Sequence, residues 1–309
     1  MSTGLLFSGQ GAQSVGMGKS LCENSAAARK VYEDADKALG WSISDLSFNG
    51  PAESLTETKV CQPALFVQGM AVVAALEETG RLPEIGTAMG QSLGELTALT
   101  YAGAFSFADG LKLVAERGRL MQEACEATNG TMLAIVGGTT ADVQEFCDKF
   151  EVDISNLNCP GQTVVSGEKG KCAEFAEAAK ASGKFVKVIP LNVAGAYHSR
   201  LMKSAGDAFT KHLASVEIKM PCIPVFSNVT GKAVTSTDEI RSNLALQVTH
   251  TVLFEADVRS SAALGIVDYV ECGPGKVLAG MLKRIDRGLK VSSVSEWAEL
   301  EALPVLAQD

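Results

Sequence analysis

The 309-residue sequence has few histidines and no closely spaced cysteines. Its three histidines lie far apart, and its eight cysteines never form a C-x-x-C pair. Protein zinc sites depend on such spacing, so the sequence predicts no metal site. Scattered cysteines without a disulfide framework are typical of a reducing compartment. We therefore expect reduced, mostly buried cysteines and a cytoplasmic protein.

An excess of positive charge is also lacking. The chain has 27 Lys and Arg against 36 Asp and Glu, which gives a formal net charge of −9. Proteins that bind nucleic acids or anionic membranes present broad electropositive surfaces. We expect neither nucleic acid nor a membrane as a partner.

Long hydrophobic runs are missing as well. The longest uncharged span, residues 60–76, is interrupted by Gln62 and Pro63, whereas a membrane helix needs ~20 mainly apolar residues. The first residues also lack the cationic segment and the apolar stretch of a signal peptide. The sequence predicts neither a membrane span nor an export signal, and it predicts that a helix begins at Pro63.

The composition that remains, 46% hydrophobic and 20% charged residues, fits a globular α/β enzyme. Short apolar runs at 4–7 and 85–89 each precede a glycine-rich turn, as buried strands do. Between residues 131 and 189 the pattern changes to β-α-β-β-α-β, the order of a ferredoxin-like unit. We predict one α/β domain over 1–124 and 198–309 that carries a small inserted domain at 125–197.

The pentapeptide Gly90–Gly94 matches G-x-S-x-G, the nucleophile elbow between a strand and a helix. In that turn the serine hydroxyl stands clear of the backbone at a helix N-terminus. The helix dipole and the free N–H of Leu93 would stabilise an oxyanion there. A plain Gly-Ser turn is the alternative, but the predicted strand and helix on either side favour Ser92 as a nucleophile.

A serine nucleophile needs a base, and His198 is the best candidate of the three histidines. His212 and His250 lie among polar residues, as surface or capping histidines do. The sequence around His198, taken alone, favours a packed, hydrogen-bonded core histidine. Only its combination with Ser92 favours a role for His198 as the general base. No carboxylate is placed by the sequence as a third member, and Asp257 looks unremarkable.

Arg117 lies on a predicted helix that starts at Ser106. An arginine in such a place is usually solvated. The alternative is a clamp for a substrate carboxylate, to which the planar guanidinium is suited. The residues alone leave both readings open.

Several motifs in order resemble the malonyl-CoA:acyl carrier protein transacylase family and its polyketide-synthase acyltransferase relatives. The match runs almost end to end. The segments that carry it are Gly9–Gln13, Gly90–Glu95, Arg117–Gly118, Asn156–Gly167, Ala196–Ser199, Ser227–Gly231 and Glu271–Val277.

This resemblance implies a hydrolase-like α/β domain with a parallel sheet core, a ferredoxin-like insert and an active site between them. It makes Ser92 the nucleophile and His198 its base, with Nδ1 held by a main-chain carbonyl near Gln247. The main-chain N–H groups of Gln10 and Leu93 would form the oxyanion hole. Gln10 and Gln247 would line the substrate site, and Arg117 would bind the malonyl carboxylate.

The family further implies a ping-pong transfer from malonyl-CoA to acyl carrier protein for fatty acid synthesis, with no cofactor. We expect a monomer. Arg200 and Lys203 are the candidates for docking the carrier, with ordinary solvated helix charges as the alternative. Gln91 and Ser8 replace the His and Pro of many members, and Tyr197 replaces a phenylalanine. A serine esterase or thioesterase, a trans-acting polyketide-synthase acyltransferase and an inactive carrier-binding scaffold remain as alternatives.

Overall fold

The computed structural model describes residues 2–306, and the structural statements below refer to that part of the chain. In chain order the strands are β1 Thr3–Phe7, β2 Ile85–Gly90, β3 Gly130–Val136, β4 Asp153–Cys159, β5 Gln162–Glu168, β6 Lys187–Pro190, β7 Phe226–Ser227, β8 Lys232–Ala233, β9 Asp268–Cys272 and β10 Lys290–Val294.

Helices cover most of the remaining chain, and a 3₁₀ turn occupies Arg200–Met202. The α-helices are α1 Lys19–Asn24, α2 Ala26–Leu39, α3 Ile43–Asn49, α4 Ala52–Thr56, α5 Thr58–Glu78, α6 Leu93–Tyr101, α7 Phe107–Glu126, α8 Thr140–Phe150, α9 Lys169–Ser182, α10 Lys203–Leu213, α11 Thr237–Gln247, α12 Phe254–Ala263, α13 Val277–Ile285 and α14 Trp297–Glu301.

A parallel sheet with the strand order β10-β9-β1-β2 forms the centre of the fold. Strand β1 is buried along its whole length. Because successive side chains of a strand point to opposite faces, Leu5 and Phe7 enter one core cluster and Leu6 enters another. A parallel sheet covered on both faces has such uninterrupted apolar strands. The predicted α/β fold with a parallel sheet core is confirmed.

The ends of β1 and β2 determine where a site can form. Phe7 pairs with Gly90 at the carboxyl end of both strands. The loops that follow them therefore leave the sheet side by side, at the edge where α/β proteins bind their ligands.

A second, antiparallel sheet has the strand order β4-β5-β3-β6. Its elements follow one another as β-α-β-β-α-β, in the predicted order. Leu133 and Ile135 pack towards α8 and α9, while Met132 and Ala134, on the opposite face, line a cavity. This sheet thus forms one wall of that cavity. The domain division at 125–197 stays a prediction.

Helix α5 corrects one expectation from the sequence. It begins at Thr58, and Pro63 lies inside it, so the prediction that the helix begins at Pro63 is wrong. A proline removes only its own hydrogen bond, and the surrounding core holds the helix, in which most side chains are buried. By length and composition α5 could cross a membrane, but 83% of its most apolar window is buried inside the protein. That is the environment of a core helix.

All eight cysteines are free, and seven of them are buried; Cys222 is exposed. This agrees with the prediction of reduced, mostly buried cysteines.

Candidate active site

Ser92 stands in the turn between β2 and α6 with φ 58° and ψ −107°, a conformation that L residues rarely adopt. A Cβ atom at Gly90 would lie 2.3 Å from the carbonyl carbon of Gly94, and one at Gly94 would lie 2.3 Å from the main-chain oxygen of Phe7. Both positions therefore require glycine. The tight turn predicted from G-x-S-x-G is present, with Ser92 at the N-terminus of α6.

His198 lies directly against this serine. Its Nε2 atom is 2.8 Å from Ser92 Oγ, and its Nδ1 atom is 2.7 Å from the main-chain oxygen of Gln247. A carbonyl oxygen only accepts hydrogen bonds, so Nδ1 carries the proton and Nε2 presents its lone pair to the serine hydroxyl. Burial, followed by the charge of Arg117, lowers the pKa of His198 to about 3. The imidazole is consequently neutral at neutral pH and able to accept a proton.

The other two histidines stay outside this arrangement. His250 is exposed, and its Nδ1 lies 2.9 Å from the carbonyl oxygen of Leu246 at the end of α11. His212 is partly buried near the end of α10.

Arg117 is fully buried on α7, which the side chain of Ser106 caps. The solvated reading of Arg117 is therefore wrong. Its Nη1 donates to Gln62 Oε1 at 2.7 Å, and its Nη2 donates to Gln247 Oε1 at 2.8 Å and to Ser92 Oγ at 3.0 Å. The Nε atom has no partner, and among the described residues no carboxylate forms an ion pair with this guanidinium.

The charge of Arg117 persists at working pH. Burial lowers the pKa of its guanidinium to about 10, and the nearby carboxylate of Glu95 opposes that shift. A buried cation without a paired anion, in contact with a nucleophile, is a favourable place for a substrate carboxylate.

Two main-chain N–H groups, one at the elbow and one in the loop after β1, make no hydrogen bond within the described residues. They are those of Leu93 and Gln10. Leu93 begins α6, and Gln10 lies in the loop after β1 and lines the cavity. The Gln10 side chain donates to the hydroxyl of Tyr197 at 3.1 Å, which fixes this loop. An oxyanion hole needs such uncommitted donors, and its assignment to Gln10 and Leu93 stays a prediction.

Sequence reasoning missed three buried polar residues of the site. Gln62 holds Arg117, as described above. Asn228 accepts the Ser92 main-chain N–H at 2.7 Å and donates to the carboxylate of Asp257 at 2.7 Å. Glu95 accepts from Gln247 Nε2 at 2.6 Å. Asp257, which the sequence left without a role, is fully buried, and burial raises the pKa of its carboxyl group.

Ser92 and His198 open onto a cavity of about 550 Å³ between the two sheets, within the range of small-molecule sites. Gln10 and Tyr197 are also in its wall, as is Gln91, whose Nε2 donates to Asn158 Oδ1 at 2.6 Å. Gln91 thereby connects the elbow to β4. Within residues 2–306 no group of three His, Cys, Asp or Glu side chains is placed to hold a metal ion.

The two cations predicted for carrier docking lie on the surface beside His198, in a groove of about 1070 Å³. Arg200 is paired with Asp153 and Lys203 with Asp207, at 2.5 and 2.6 Å. Their charges are therefore partly neutralised, and their docking role stays a prediction.

The model of the acyl transferase domain family matches residues 5–308. The chain belongs to the acyl transferase family. The resemblance noted in the sequence is confirmed. Family membership identifies an acyltransferase fold; the roles of the individual residues stay predictions.

Individual members of the family are similar along the whole chain. The malonyl CoA-acyl carrier protein transacylase of Bacillus subtilis is 40% identical over 301 residues, covering 96% of this chain and 94% of that protein. The acyl-carrier-protein-S-malonyltransferase structure from Bartonella henselae is 37% identical and covers 98% of each chain, with a TM-score of 0.93. A malonyl-transacylase in complex with its type II polyketide-synthase acyl-carrier protein is 33% identical and covers 98% of this chain and 99% of that one, with a TM-score of 0.94.

Proposed function

We propose that this protein transfers the malonyl group of malonyl-CoA to the phosphopantetheine thiol of acyl carrier protein, for use in fatty acid synthesis. The observation that carries the proposal is Arg117, a buried cation without a paired carboxylate whose Nη2 lies 3.0 Å from the nucleophile. Malonyl-CoA brings a free carboxylate close to its thioester and so supplies the missing anion. The names of the relatives describe the same transfer.

In the first half-reaction, Ser92 Oγ attacks the thioester carbon while its proton moves to His198 Nε2. The N–H groups of Gln10 and Leu93 stabilise the oxyanion that develops. The C–S bond then breaks, His198 returns the proton to the CoA sulfur, and the malonyl group remains as an ester on Ser92.

The second half-reaction reverses these steps with another thiol. The phosphopantetheine thiol gives its proton to His198, and the sulfur attacks the ester carbon. The serine oxygen leaves and takes the proton back from His198. Every proton stays among the two thiols, Ser92 and His198, so the proposal invokes no metal and no cofactor.

A serine esterase or thioesterase is the second candidate, because the elbow and the Ser92–His198 contact are shared with serine hydrolases. The two differ in the acceptor. A transferase keeps its acyl-enzyme until a thiol arrives, whereas a hydrolase passes the acyl group to water.

Intact-protein mass spectrometry tests the proposal. Wild-type protein mixed with malonyl-CoA should carry one malonyl group, and Ser92→Ala should carry none, because no other hydroxyl stands on the elbow. Addition of phosphopantetheinylated carrier should move the group to the carrier. An adduct that persists in Ser92→Ala would refute the nucleophile, and rapid loss of the adduct to water without carrier would favour the hydrolase.

We also propose that the enzyme acts as a monomer in the cytoplasm. Eight free cysteines support a reducing compartment. Acyl carrier protein and malonyl-CoA are its proposed partners.

A further inference from the structure

Glu95 is a buried carboxylate that the transfer mechanism does not use. It lies in the first turn of α6, is 1% exposed, and its main-chain N–H donates to the carbonyl oxygen of Ser92 at 3.1 Å. The rest of the helix is largely apolar, so a leucine or alanine would suit the packing. Burial of a carboxylate is costly unless it is hydrogen-bonded, and burial raises the pKa of Glu95 to about 7.

The hydrogen bonds of Glu95 lead to the site rather than to a cation. Its Oε2 atom accepts from Gln247 Nε2 at 2.6 Å and from the main-chain N–H of Asn228 at 3.0 Å. Gln247 is itself fully buried at the end of α11. The carboxylate therefore holds a side chain that belongs to the catalytic arrangement.

Gln247 serves two residues at once. Its main-chain oxygen accepts from His198 Nδ1 at 2.7 Å, and its side-chain Oε1 accepts from Arg117 Nη2 at 2.8 Å. A glutamine amide can rotate by half a turn and exchange its oxygen and nitrogen. In the rotated state the amide NH₂ would face the donors of Arg117, which would leave both groups without acceptors. Acceptors on the other side of the amide oppose this rotation. They are Glu95 Oε2 at 2.6 Å, the main-chain oxygen of Ser92 at 3.1 Å and Asn228 Oδ1 at 3.3 Å, and the Glu95 carboxylate is the closest of the three.

We propose that Glu95 is a positioning residue for acyl transfer, which holds the Gln247 amide so that its oxygen faces Arg117 while the Gln247 main chain holds His198. This inference rests on the proposed function. Glu95 does not line the cavity and makes no hydrogen bond to the Ser92 hydroxyl, so it acts through Gln247. In a Ser-His-Asp triad the carboxylate contacts the histidine directly. Here the carboxylate of Glu95 contacts Gln247, and the main chain of Gln247 contacts His198.

The test compares kcat/KM for malonyl-CoA and acetyl-CoA in wild type, Glu95→Ala, Gln247→Ala and the double variant. We expect Glu95→Ala to lower the malonyl-to-acetyl preference about 10- to 100-fold, because only malonyl depends on an oriented Arg117. The double variant should lose no more than Gln247→Ala alone, since Glu95 acts through that side chain. Glu95→Gln should restore most of the preference, because a carboxamide oxygen can accept the same two hydrogen bonds.

Glu271→Ala is the matched control. Glu271 is also a fully buried carboxylate, but it accepts from the main-chain N–H groups of Leu278, in the cavity wall, and of Ala279, and from the Ser293 hydroxyl. It makes no hydrogen bond to Gln247, Arg117 or Ser92. Its removal should lower the melting temperature and leave the substrate preference unchanged. If Glu95→Ala does not fold, Glu95→Met replaces it, because methionine fills the volume without an acceptor.

Two outcomes would overturn the role of Glu95. One is an equal loss for both substrates with a lowered melting temperature, as in Glu271→Ala. The other is additive loss in the double variant. A wild-type protein that forms no malonyl-enzyme would instead refute the proposed function, so the two failures are distinguishable.

Discussion

His198 Nδ1 lies 2.7 Å from the main-chain oxygen of Gln247, where a Ser-His-Asp triad has its aspartate. A carbonyl oxygen fixes the tautomer as an aspartate does, but it carries no negative charge to stabilise an imidazolium. Arg117 is close enough to lower the pKa of the ring further. This site therefore favours the neutral base more strongly than a triad would.

The first prediction concerns the pH dependence of acylation. His198 acts as a base only when neutral, and its pKa is lowered to about 3. Activity should thus survive acidification through 6.5, the ordinary histidine pKa, and fall only at much lower pH. The measurement is kcat/KM for malonyl-enzyme formation from about pH 4 to 8, with folding monitored at each pH.

The pKa of Glu95 is raised to about 7, so Glu95 titrates within the same pH range. Its effect on the profile has to be distinguished from that of His198. The profile is therefore repeated with Glu95→Gln. An inflection near 6.5 that persists in this variant would belong to His198 and contradict the prediction.

The second prediction tests the close contact beneath the elbow. In Gly94→Ala the new Cβ would lie 2.3 Å from the main-chain oxygen of Phe7, in the central strand β1. Phe7 is paired with β2 on one side and β9 on the other, so α6 must shift instead and carry Ser92 with it. We expect a loss of about 1–3 kcal/mol in the free energy of unfolding, together with loss of malonyl-enzyme formation. Denaturant unfolding and intact mass measure the two effects.

Gly280→Ala is the control for this variant. Gly280 lies inside α13, and a Cβ there would meet nothing within 4 Å. Alanine should stabilise that helix by up to about 1 kcal/mol. Equal behaviour of the two variants would show that the contact beneath Ser92 does not constrain the fold.

The sequence predicted those parts of the site that local pattern defines. Ser92 stands in a five-residue motif, and the flanking strand and helix follow from hydrophobic periodicity. Gln62 stands in no motif, and Asn228 stands in a segment that carries the family resemblance but no role. Local pattern assigns neither role, because each depends on a partner 55 or 136 residues away. Gln62 did interrupt an otherwise apolar helix, and Glu95 stands in another. For Gln62 and Glu95, the available indication was a polar residue on an otherwise apolar, buried helix.

The third prediction concerns carrier docking. Arg200 and Lys203 have side chains that are 61% and 76% exposed, beside the groove that contacts His198. The family resemblance implies an acidic carrier, and charge at the rim of an interface acts mainly on encounter. Reversal of both residues to Glu should raise KM for the carrier and leave KM for malonyl-CoA unchanged, as measured in steady-state assays.

Lys30→Glu provides the comparison. Lys30 is similarly exposed, at 65%, and is paired with Asp34 on α2, a helix that contributes no residue to the cavity or the groove. It should change neither constant. Equal effects of the reversed pair on both substrates would exclude this face as the docking surface.

The last prediction follows from the unpaired charge of Arg117. A malonyl carboxylate must leave water to enter the cavity, and a buried guanidinium offsets that cost with charge-assisted hydrogen bonds. An acetyl group brings no anion and leaves the guanidinium unpaired. Arg117 should therefore favour malonyl and disfavour acetyl groups.

Arg117→Ala should cost malonyl transfer about 3–5 kcal/mol of transition-state stabilisation, as measured from kcat/KM for malonyl-CoA; this is the scale for breaking a buried ion pair. The value of kcat/KM for acetyl-CoA should fall much less, or rise. Arg117→Lys should recover only part of the malonyl activity, since a point charge does not reproduce the planar fork that also holds Gln62 and Gln247. Arg119→Ala, an exposed neighbour paired with Glu116 on the same helix, should change neither rate. A parallel loss for both substrates in Arg117→Ala would show that the arginine is structural, because only a carboxylate-binding role separates malonyl from acetyl.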